Sequence, residues 1–417
     1  MTGNPSEASG VGVGMMQPTT METERNEAAK TRRRLAKVGL NAASIERFLD
    51  GVLEVDWHVA TLRSVTLGTL GVLHAVSLCI HVIGRAAAWA RDKDPKHSVK
   101  QIDRLLSNEN VTIWAFARSW VRFVVGPRPE VIVALDWTEF DADGHSTIAA
   151  YLVTNHGRAT PLLWMTVEKA ELEGKRNGHE DELLERLAEY MPEGVRVTVL
   201  ADRGFGDQKR YEHLRGLNMD FVIRFREAIT VSDQWGNSRP AAEWLPKSGR
   251  ATMLKEAAVT HDFYVLPGVV VVHDHKMKES WCLATSRADL GAAGVVKLYG
   301  RRFTIEETFR DTKDIHFGMG LKATHIKSAG RRDRLLLLAA LAHALLTLLG
   351  AAGERCGLDR KLRTNTSKKR QMSLYNQGCY WYMAIPNMRE ERLSLLMQAY
   401  AEVLRDHEFL RDIFGVI

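Results

Sequence analysis

The stretch VIVALDWTEF, residues 131–140, is where the sequence changes from helical to strand-like patterning. Before it, residues 41–128 place apolar side chains three and four positions apart, which is typical of amphipathic helices. Two prolines in GPRPE, Pro127 and Pro129, interrupt that pattern. After it come the apolar segments HSTIAAYLVTN and TPLLWMTVE, separated by the turn-like NHGRA. Three consecutive antiparallel strands are therefore predicted.

The following segments alternate between helix and strand. The helical pattern GHEDELLERLAEYM precedes a buried strand at 195–201, and a short helix and the strand DFVIRFR follow. Residues 229–290 are rich in strand patterns, and helical patterning then returns. This order is the content of a ribonuclease-H-like fold with an insertion. The predicted fold class is α/β: a mixed sheet with helices on both faces, a β-rich insertion before the last core helix, and helical N- and C-terminal parts.

Composition limits the class of protein only loosely. The chain has 417 residues, 45% of them hydrophobic, and a formal charge of +6, so a large core is possible and a polyanionic partner is weakly favoured. The four cysteines are far apart and form no C-x-x-C pair, which argues against a zinc ribbon and favours a reducing compartment. Residues 1–40 are polar, with basic residues at 30–37, and are predicted to form a disordered basic tail.

Two apolar runs, residues 66–84 and 335–353, approach the length of a membrane-spanning helix. Each contains histidine and many small residues, and the sequence RRDR directly precedes the second run. Buried helices of a large core are therefore predicted, with no membrane partner.

Two aspartates follow apolar strand segments, since Asp136 ends VIVALD and Asp202 ends VTVLAD. An ionised carboxylate is costly in the middle of such a strand, whereas at the mouth of a sheet it can bind a cation. If the two strands are neighbours, both carboxylates reach one metal, and Mg²⁺ prefers such oxygen ligands. Aspartate also commonly ends strands and begins turns, so a purely structural explanation stays open for the pair.

The stretch YGRRFTIEETFRDTK, residues 299–313, concentrates charge among aromatic residues. Projected as one helix at about 100° per residue, it places five polar side chains on one narrow stripe. These are Tyr299, Arg302, Glu306, Arg310 and Lys313. Pairing of Glu306 with a neighbouring arginine on a solvated helix is one explanation. The other is a carboxylate for a metal, flanked by cations and a phenol for phosphate groups.

Four residues of this stretch, Tyr299, Arg302, Glu306 and Lys313, match the spacing Y-(2)-R-(3)-E-(6)-K in all four letters. This signature resembles that of the DDE-class insertion-sequence transposases, in the branch that cuts DNA through hairpin intermediates. The resemblance covers about residues 100–390. In it, ALDWT and LADRGF stand where the family has its first two acids, and the strand-rich stretch after them corresponds to the family's inserted β domain.

The resemblance implies a role for each matched residue. Asp136, Asp202 and Glu306 would be the catalytic acids and would bind two Mg²⁺ (or Mn²⁺) ions. The residues implied or predicted to contact DNA are Tyr299, Arg302, Lys313, Trp281, Phe303 and Arg310. Trp281 resembles the aromatic residue on which a flipped base stacks, and a place in the core of the insertion is the equal alternative for it.

The domain plan that follows has six parts. Residues 1–40 are the tail, 41–128 a helical DNA-binding region, 129–228 and 291–355 the two parts of the catalytic core, 229–290 the β-rich insertion, and 356–417 a C-terminal helical dimerisation region. The predicted function is a transposase that binds terminal inverted repeats and performs metal-dependent cleavage and strand transfer. Its predicted partners are double-stranded DNA, both transposon ends and target, and a second copy of the chain in the DNA complex. The predicted location is the bacterial cytoplasm, at the nucleoid. A ribonuclease-H-like DNA nuclease and an inactive transposase-derived DNA-binding protein are the alternatives.

Overall fold

The computed structural model describes residues 40–52, 58–260, 262–315 and 318–406, together with residues 22, 23, 26, 27, 30 and 34. The disordered tail predicted for residues 1–40 therefore lies almost entirely outside the described residues. The same is true of the last part of the predicted dimerisation region, from residue 407 onward.

A mixed sheet of ten strands organises the described chain. The strands are β1 (Glu130–Phe140), β2 (His145–Leu152), β3 (Thr160–Glu168), β4 (Arg196–Ala201), β5 (Asp220–Phe225), β6 (Thr230–Ser232), β7 (Ser238–Pro240), β8 (Thr252–Val259), β9 (Tyr264–Val272) and β10 (Trp281–Thr285). Their spatial order is β3-β2-β1-β4-β5-β10-β9-β8-β6-β7. As the sequence predicts, β1, β2 and β3 are antiparallel neighbours, whereas β4 runs parallel to β1 and β5 parallel to β4.

The strands predicted as an insertion extend this sheet instead of forming a separate one. β10 pairs antiparallel with β5, with Ala284 opposite Ile223, and β9, β8, β6 and β7 continue outward from it. The inserted strands are therefore joined by backbone hydrogen bonds to β5, which pairs in turn with β4, the strand that precedes Asp202. This attachment gives the start of β10 a fixed position relative to the core.

Twelve α-helices lie within the described residues. They are α1 (Ala42–Val52), α2 (Val59–Ala75), α3 (Ile80–Arg91), α4 (Pro95–Ser107), α5 (Ile113–Val125), α6 (Arg176–Tyr190), α7 (Gln208–Gly216), α8 (Gly291–Gly300), α9 (Phe303–Lys313), α10 (Ala329–Arg355), α11 (Leu374–Ala384) and α12 (Glu390–Arg405). Helices α5, α6 and α10 pack on β3, and α9 packs on β1.

Helix α10 carries the second apolar run and is buried by its neighbours. By length and composition it could cross a membrane, but its whole apolar window is covered by other parts of the protein. It packs on α11 through glycine, since a Cβ on Gly350 would lie 1.9 Å from the carbonyl oxygen of Leu374. The first apolar run is two helices, because α2 and α3 meet at an angle of 99°.

Candidate active site

The two predicted aspartates lie side by side on neighbouring parallel strands. The parallel pairing of β1 with β4 ends where Leu135 lies opposite Ala201. Asp136 and Asp202 are the next residues along the two strands, so the sheet places both carboxylates at the same edge. The prediction that Asp136 ends its strand is wrong, since β1 continues to Phe140 and is paired there with β2. Asp136 is the first residue of β1 beyond the segment that pairs with β4.

The third acid comes from the start of a short helix. Glu306 is in the first turn of α9, which packs on β1. The single helix predicted for residues 299–313 is two helices, because α8 ends at Gly300 and α9 begins at Phe303. Arg301 and Arg302 between them keep helical backbone angles, so the interruption is small. Tyr299 and Glu306 consequently still reach the same edge of the sheet.

Arg302 forms a bridge between two of the acids. Its Nη1 donates to Oδ2 of Asp136 at 3.0 Å, and its Nη2 donates to Oε1 of Glu306 at 2.5 Å. The guanidinium is almost inaccessible, with 5% of the side chain exposed, whereas the side chains of Asp136 and Glu306 are 20% and 48% exposed. A buried cation therefore separates two carboxylates that solvent reaches.

The pKa of Asp136 lies above its ordinary value. Burial raises the pKa of Asp136 to about 6 against the opposing effect of Arg302, and the charges of Glu306 and Asp202 raise it further. Negative neighbours that disfavour the ionisation of Asp136 in this way favour the binding of an added cation.

The donor chemistry of these residues fits a hard divalent cation. Three carboxylates supply the oxygen ligands that Mg²⁺ and Mn²⁺ prefer. Across the described ranges, however, no three His, Cys, Asp or Glu side chains are gathered tightly enough to form a metal-binding group. At this site Arg302 keeps the carboxylates apart, because its guanidinium lies between Asp136 and Glu306 and supplies the positive charge.

An aromatic cluster lies beside Asp202. The hydroxyl of Tyr299 donates to Oδ1 of Asp202 at 3.2 Å, and burial raises the pKa of Tyr299, which keeps this phenol protonated. The ring of Trp281, at the start of β10, meets the Tyr299 ring edge-on at 4.9 Å between centroids. The exposed ring of Phe303 is 6.1 Å from Trp281. The cluster thus combines residues from the insertion and from the α8–α9 junction.

The two remaining cations of the predicted stripe lie along an open cleft. Nζ of Lys313 donates to Oγ1 of Thr138 at 2.9 Å and to the carbonyl of Glu139 at 3.0 Å, both on β1. Arg310 is largely exposed and pairs with Glu307. The cleft, of about 510 Å³, is also lined by Asp136 and Glu306.

Three features of the site were not predicted from the sequence. Lys322 lines the cleft from a segment without any recognisable motif. Arg224 on β5 lies with Nη1 4.0 Å from Oδ1 of Asp202, and a lone charge inside the apolar segment FVIRF was the available signal for it. Trp137, next to Asp136, donates from Nε1 to Oε1 of the buried Glu180 at 2.7 Å, a contact between residues 43 positions apart that no local pattern indicates.

A mixed sheet with two acidic residues at the end of its parallel pair and a third on an adjacent helix fits the DDE enzymes, a class that cleaves and transfers DNA strands. The sequence model of the transposase DDE domain matches residues 127–345, and the chain belongs to this family. The matched residues include all three acids and the inserted strands. The ten-stranded sheet fits the ribonuclease-H-like fold of such enzymes, and their substrate is DNA. A comparison with curated proteins found no match.

Proposed function

We propose that this protein is a transposase of the hairpin-forming branch, which binds terminal inverted repeats, cleaves DNA and joins the freed 3′-OH to a target. The observation that carries the proposal is the position of two signature residues. Tyr299 hydrogen-bonds to Asp202, and Arg302 hydrogen-bonds to both Asp136 and Glu306. A solvated helix surface, the alternative interpretation of this stretch, gives no reason for a buried arginine and a buried tyrosine on the predicted acids.

In this proposal Asp136, Asp202 and Glu306 hold two Mg²⁺ (or Mn²⁺) ions. When bound, such ions activate an attacking oxygen and stabilise a leaving oxygen in phosphodiester chemistry. The chain's own contribution is to hold the three carboxylates on rigid elements at one edge of the sheet.

Arg302 is proposed to exchange its contacts with the acids for a contact with a DNA phosphate group. Its Nε is buried and has no hydrogen-bond partner within the described part of the chain, and its two terminal nitrogens already face the acids. A phosphate group beside it would give this guanidinium a second partner of the same charge as the carboxylates. Lys313 and Arg310, at the cleft, are proposed to contact the backbone on either side of the cleavage position.

The cluster of Trp281, Tyr299 and Phe303 is proposed to receive a base that leaves the duplex. Stacking on exposed aromatic rings repays part of the cost of unpairing a base. The exposed face of Phe303 and the half-buried Trp281 provide such a surface next to Asp202. A displaced base relieves the tight strand reversal that a hairpin end requires, and this supports the hairpin route.

The remaining elements of the proposal concern partners. A helical region at 41–128 binds the inverted repeats, helices at 356–417 hold a second copy of the chain in the DNA complex, and the protein acts at the bacterial nucleoid. In the same proposal the catalytic core consists of residues 129–228 and 291–355, and its insertion consists of residues 229–290.

The test is an assay for joining. The protein is incubated with Mg²⁺ and two duplexes, one an uncut candidate transposon end with its flanking DNA, taken from beside the gene, and the other a target, and products are sized on denaturing gels. The proposal expects a joined product and a hairpin intermediate. Cleavage without joining would favour the nuclease alternative, and binding without cleavage would favour the inactive DNA-binding protein.

A further inference from the structure

Helix α4 presents a basic face to solvent. Its opposite side is packed into the protein through Ser98, Ile102, Leu105 and Leu106. Lys100 is at the centre of the exposed side, and Lys96 and Arg104 lie one turn before and after it, about 40° away on either side. Lys93, in the turn that precedes the helix, is exposed as well.

The positive charges on this face are not neutralised by the protein. Within the ranges that the structure describes, Lys93, Lys96, Lys100 and Arg104 have no carboxylate at salt-bridge distance. Three acids are near in sequence, Asp92, Asp94 and Asp103, against the four cations. Asp94 accepts from the backbone N–H of Lys96 at 2.7 Å, and Asp103 accepts from Nη2 of Arg331 at 2.6 Å. The face therefore carries a net positive charge along about 20 Å of straight helix.

The helix is held rigidly on its packed side. A Cβ added to Gly84 of α3 would lie 2.5 Å from Cα of Val99, so the two helices touch at the backbone. At its C-terminal end, Nε of Arg334 donates to the carbonyl of Leu106 at 2.6 Å, where the helix has unpaired carbonyl groups. A rigid helix loses little conformational freedom when it binds a partner.

The segment RRDR, residues 331–334, connects α4 to the catalytic sheet. Arg331 and Arg334 bind α4, as described above. Asp333 accepts from the backbone N–H of Thr166 on β3 at 3.0 Å, and Nε of Arg332 lies 3.0 Å from Nδ1 of His145 on β2. One turn of α10 thus fixes α4 with respect to the sheet that carries Asp136.

We propose that α4 is the helix with which this protein binds duplex DNA, through Lys96, Lys100 and Arg104. We further propose that Arg331 and Arg334 are positioning residues that set the distance from the bound sequence to the cleavage site. The inference rests on the proposed function, which makes DNA the substrate. Duplex DNA is the partner that fits, because its major groove admits a single helix and its phosphates complement the exposed cations.

The binding test uses the full chain without metal, so it does not depend on cleavage. Fluorescence anisotropy is measured with a duplex from the DNA flanking the gene, at several salt concentrations. The variant Lys96→Gln/Lys100→Gln/Arg104→Gln is expected to bind at least about tenfold more weakly, with a salt slope shallower by about one unit for each residue removed. Unchanged affinity and slope would overturn the proposal.

A matched control removes the same charge from other exposed sites. Lys209, Lys247 and Lys255 are exposed lysines on α7 and in the insertion, and their triple glutamine variant is expected to keep the wild-type salt slope. If the control loses as much affinity as the α4 variant, the effect is one of net charge, and the assignment to α4 is wrong. A wild-type protein that binds the duplex and never cuts it would contradict the proposed function and leave the α4 comparison valid.

The positioning role has its own measurement. In Arg331→Gln/Arg334→Gln the cleavage position is mapped to the nucleotide, and melting of the protein is followed in parallel. A helix that is no longer fixed is expected to give cuts spread over neighbouring positions. A merely structural role would lower the yield of cleavage and leave its position unchanged, and that result would overturn this part of the proposal.

Discussion

Two buried arginines, Arg302 and Arg332, use the same chemistry in different surroundings. Each guanidinium is nearly inaccessible, with 5% and 0% of the side chain exposed, and each is bound to a carboxylate and lies over an aromatic ring. The partners differ. Asp143, which binds Arg332, is 9% exposed, whereas Asp136 and Glu306, which bind Arg302, are 20% and 48% exposed.

This difference separates a structural ion pair from an exchangeable one. Around Arg332 the carboxylate, the Phe140 ring and His145 leave little room for solvent, which disfavours exchange of this pair with a ligand. Around Arg302 the acids face a cleft, and a cation or a phosphate can compete for either side of the bridge. Arg332, at one end of β1, therefore contributes to stability. Arg302, beside the middle of β1, takes part in substrate exchange in the proposed function.

The largest effect is expected at the closed pair. Arg332→Met leaves the buried carboxylate of Asp143 without its cation, and loss of one partner of a buried pair costs about 3–5 kcal/mol of unfolding free energy. Urea unfolding measures it. Arg310→Met, which removes an exposed pair, is the control and should change the free energy by less than about 0.5 kcal/mol. Equal urea-unfolding midpoints for the two variants would contradict the view that the buried pair of Arg332 stabilises the protein more than the exposed pair of Arg310.

The open pair should affect activity more than stability. Arg302→Met is expected to slow DNA cleavage about a hundredfold, a loss typical of a group that stabilises charge in a reaction. Without the guanidinium between them, Asp136 and Glu306 should bind Mn²⁺ more tightly in the absence of DNA. Calorimetric titration with Mn²⁺ measures this, and weaker Mn²⁺ binding by the variant would contradict the view that Arg302 and the metal compete.

A smaller, pH-dependent effect is expected next to the closed pair. Burial raises the pKa of Asp333 to about 8, whereas an unfolded chain ionises this group near pH 4. The unfolded state therefore loses its proton first as pH rises, and stability decreases between about pH 4 and 8. In Asp333→Asn this decrease should be absent, and the free-energy difference between variant and wild type should change by about 2.7 kcal/mol from pH 5 to pH 7. Parallel curves for the two proteins would show that Asp333 does not titrate in this range.

The smallest effect is expected at Glu307, next to Glu306 in sequence. It pairs with the exposed Arg310 and lies 3.7 Å from Arg158, and it has no contact with the three acids in the described structure. Glu307→Gln should change cleavage by less than about twofold and stability by less than about 0.5 kcal/mol. A larger loss of cleavage would indicate that the third catalytic acid is Glu307 and not Glu306.

Local patterns in the sequence were enough for the order of the main strands and for the antiparallel arrangement of β1, β2 and β3. They failed where the structure depends on distant residues. The bridge from Arg302 to Asp136 joins residues 166 positions apart, and the continuation of β1 beyond Asp136 depends on its pairing with β2. The helix of residues 299–313 is interrupted although its periodicity is unbroken. The segment RRDR looked like the charged flank of an apolar helix, because only the folded chain brings α4, β2 and β3 to it.

The central claim is that Glu306 completes the catalytic acids, and one side-by-side assay tests it. Glu306→Gln and Glu307→Gln, which remove one charge each from adjacent positions, are compared for Mg²⁺-dependent cleavage of a duplex from the flanking DNA, with duplex binding measured on the same samples. The account predicts that Glu306→Gln binds the duplex and does not cut it, while Glu307→Gln cuts at close to the wild-type rate. Undiminished cleavage by Glu306→Gln would contradict it.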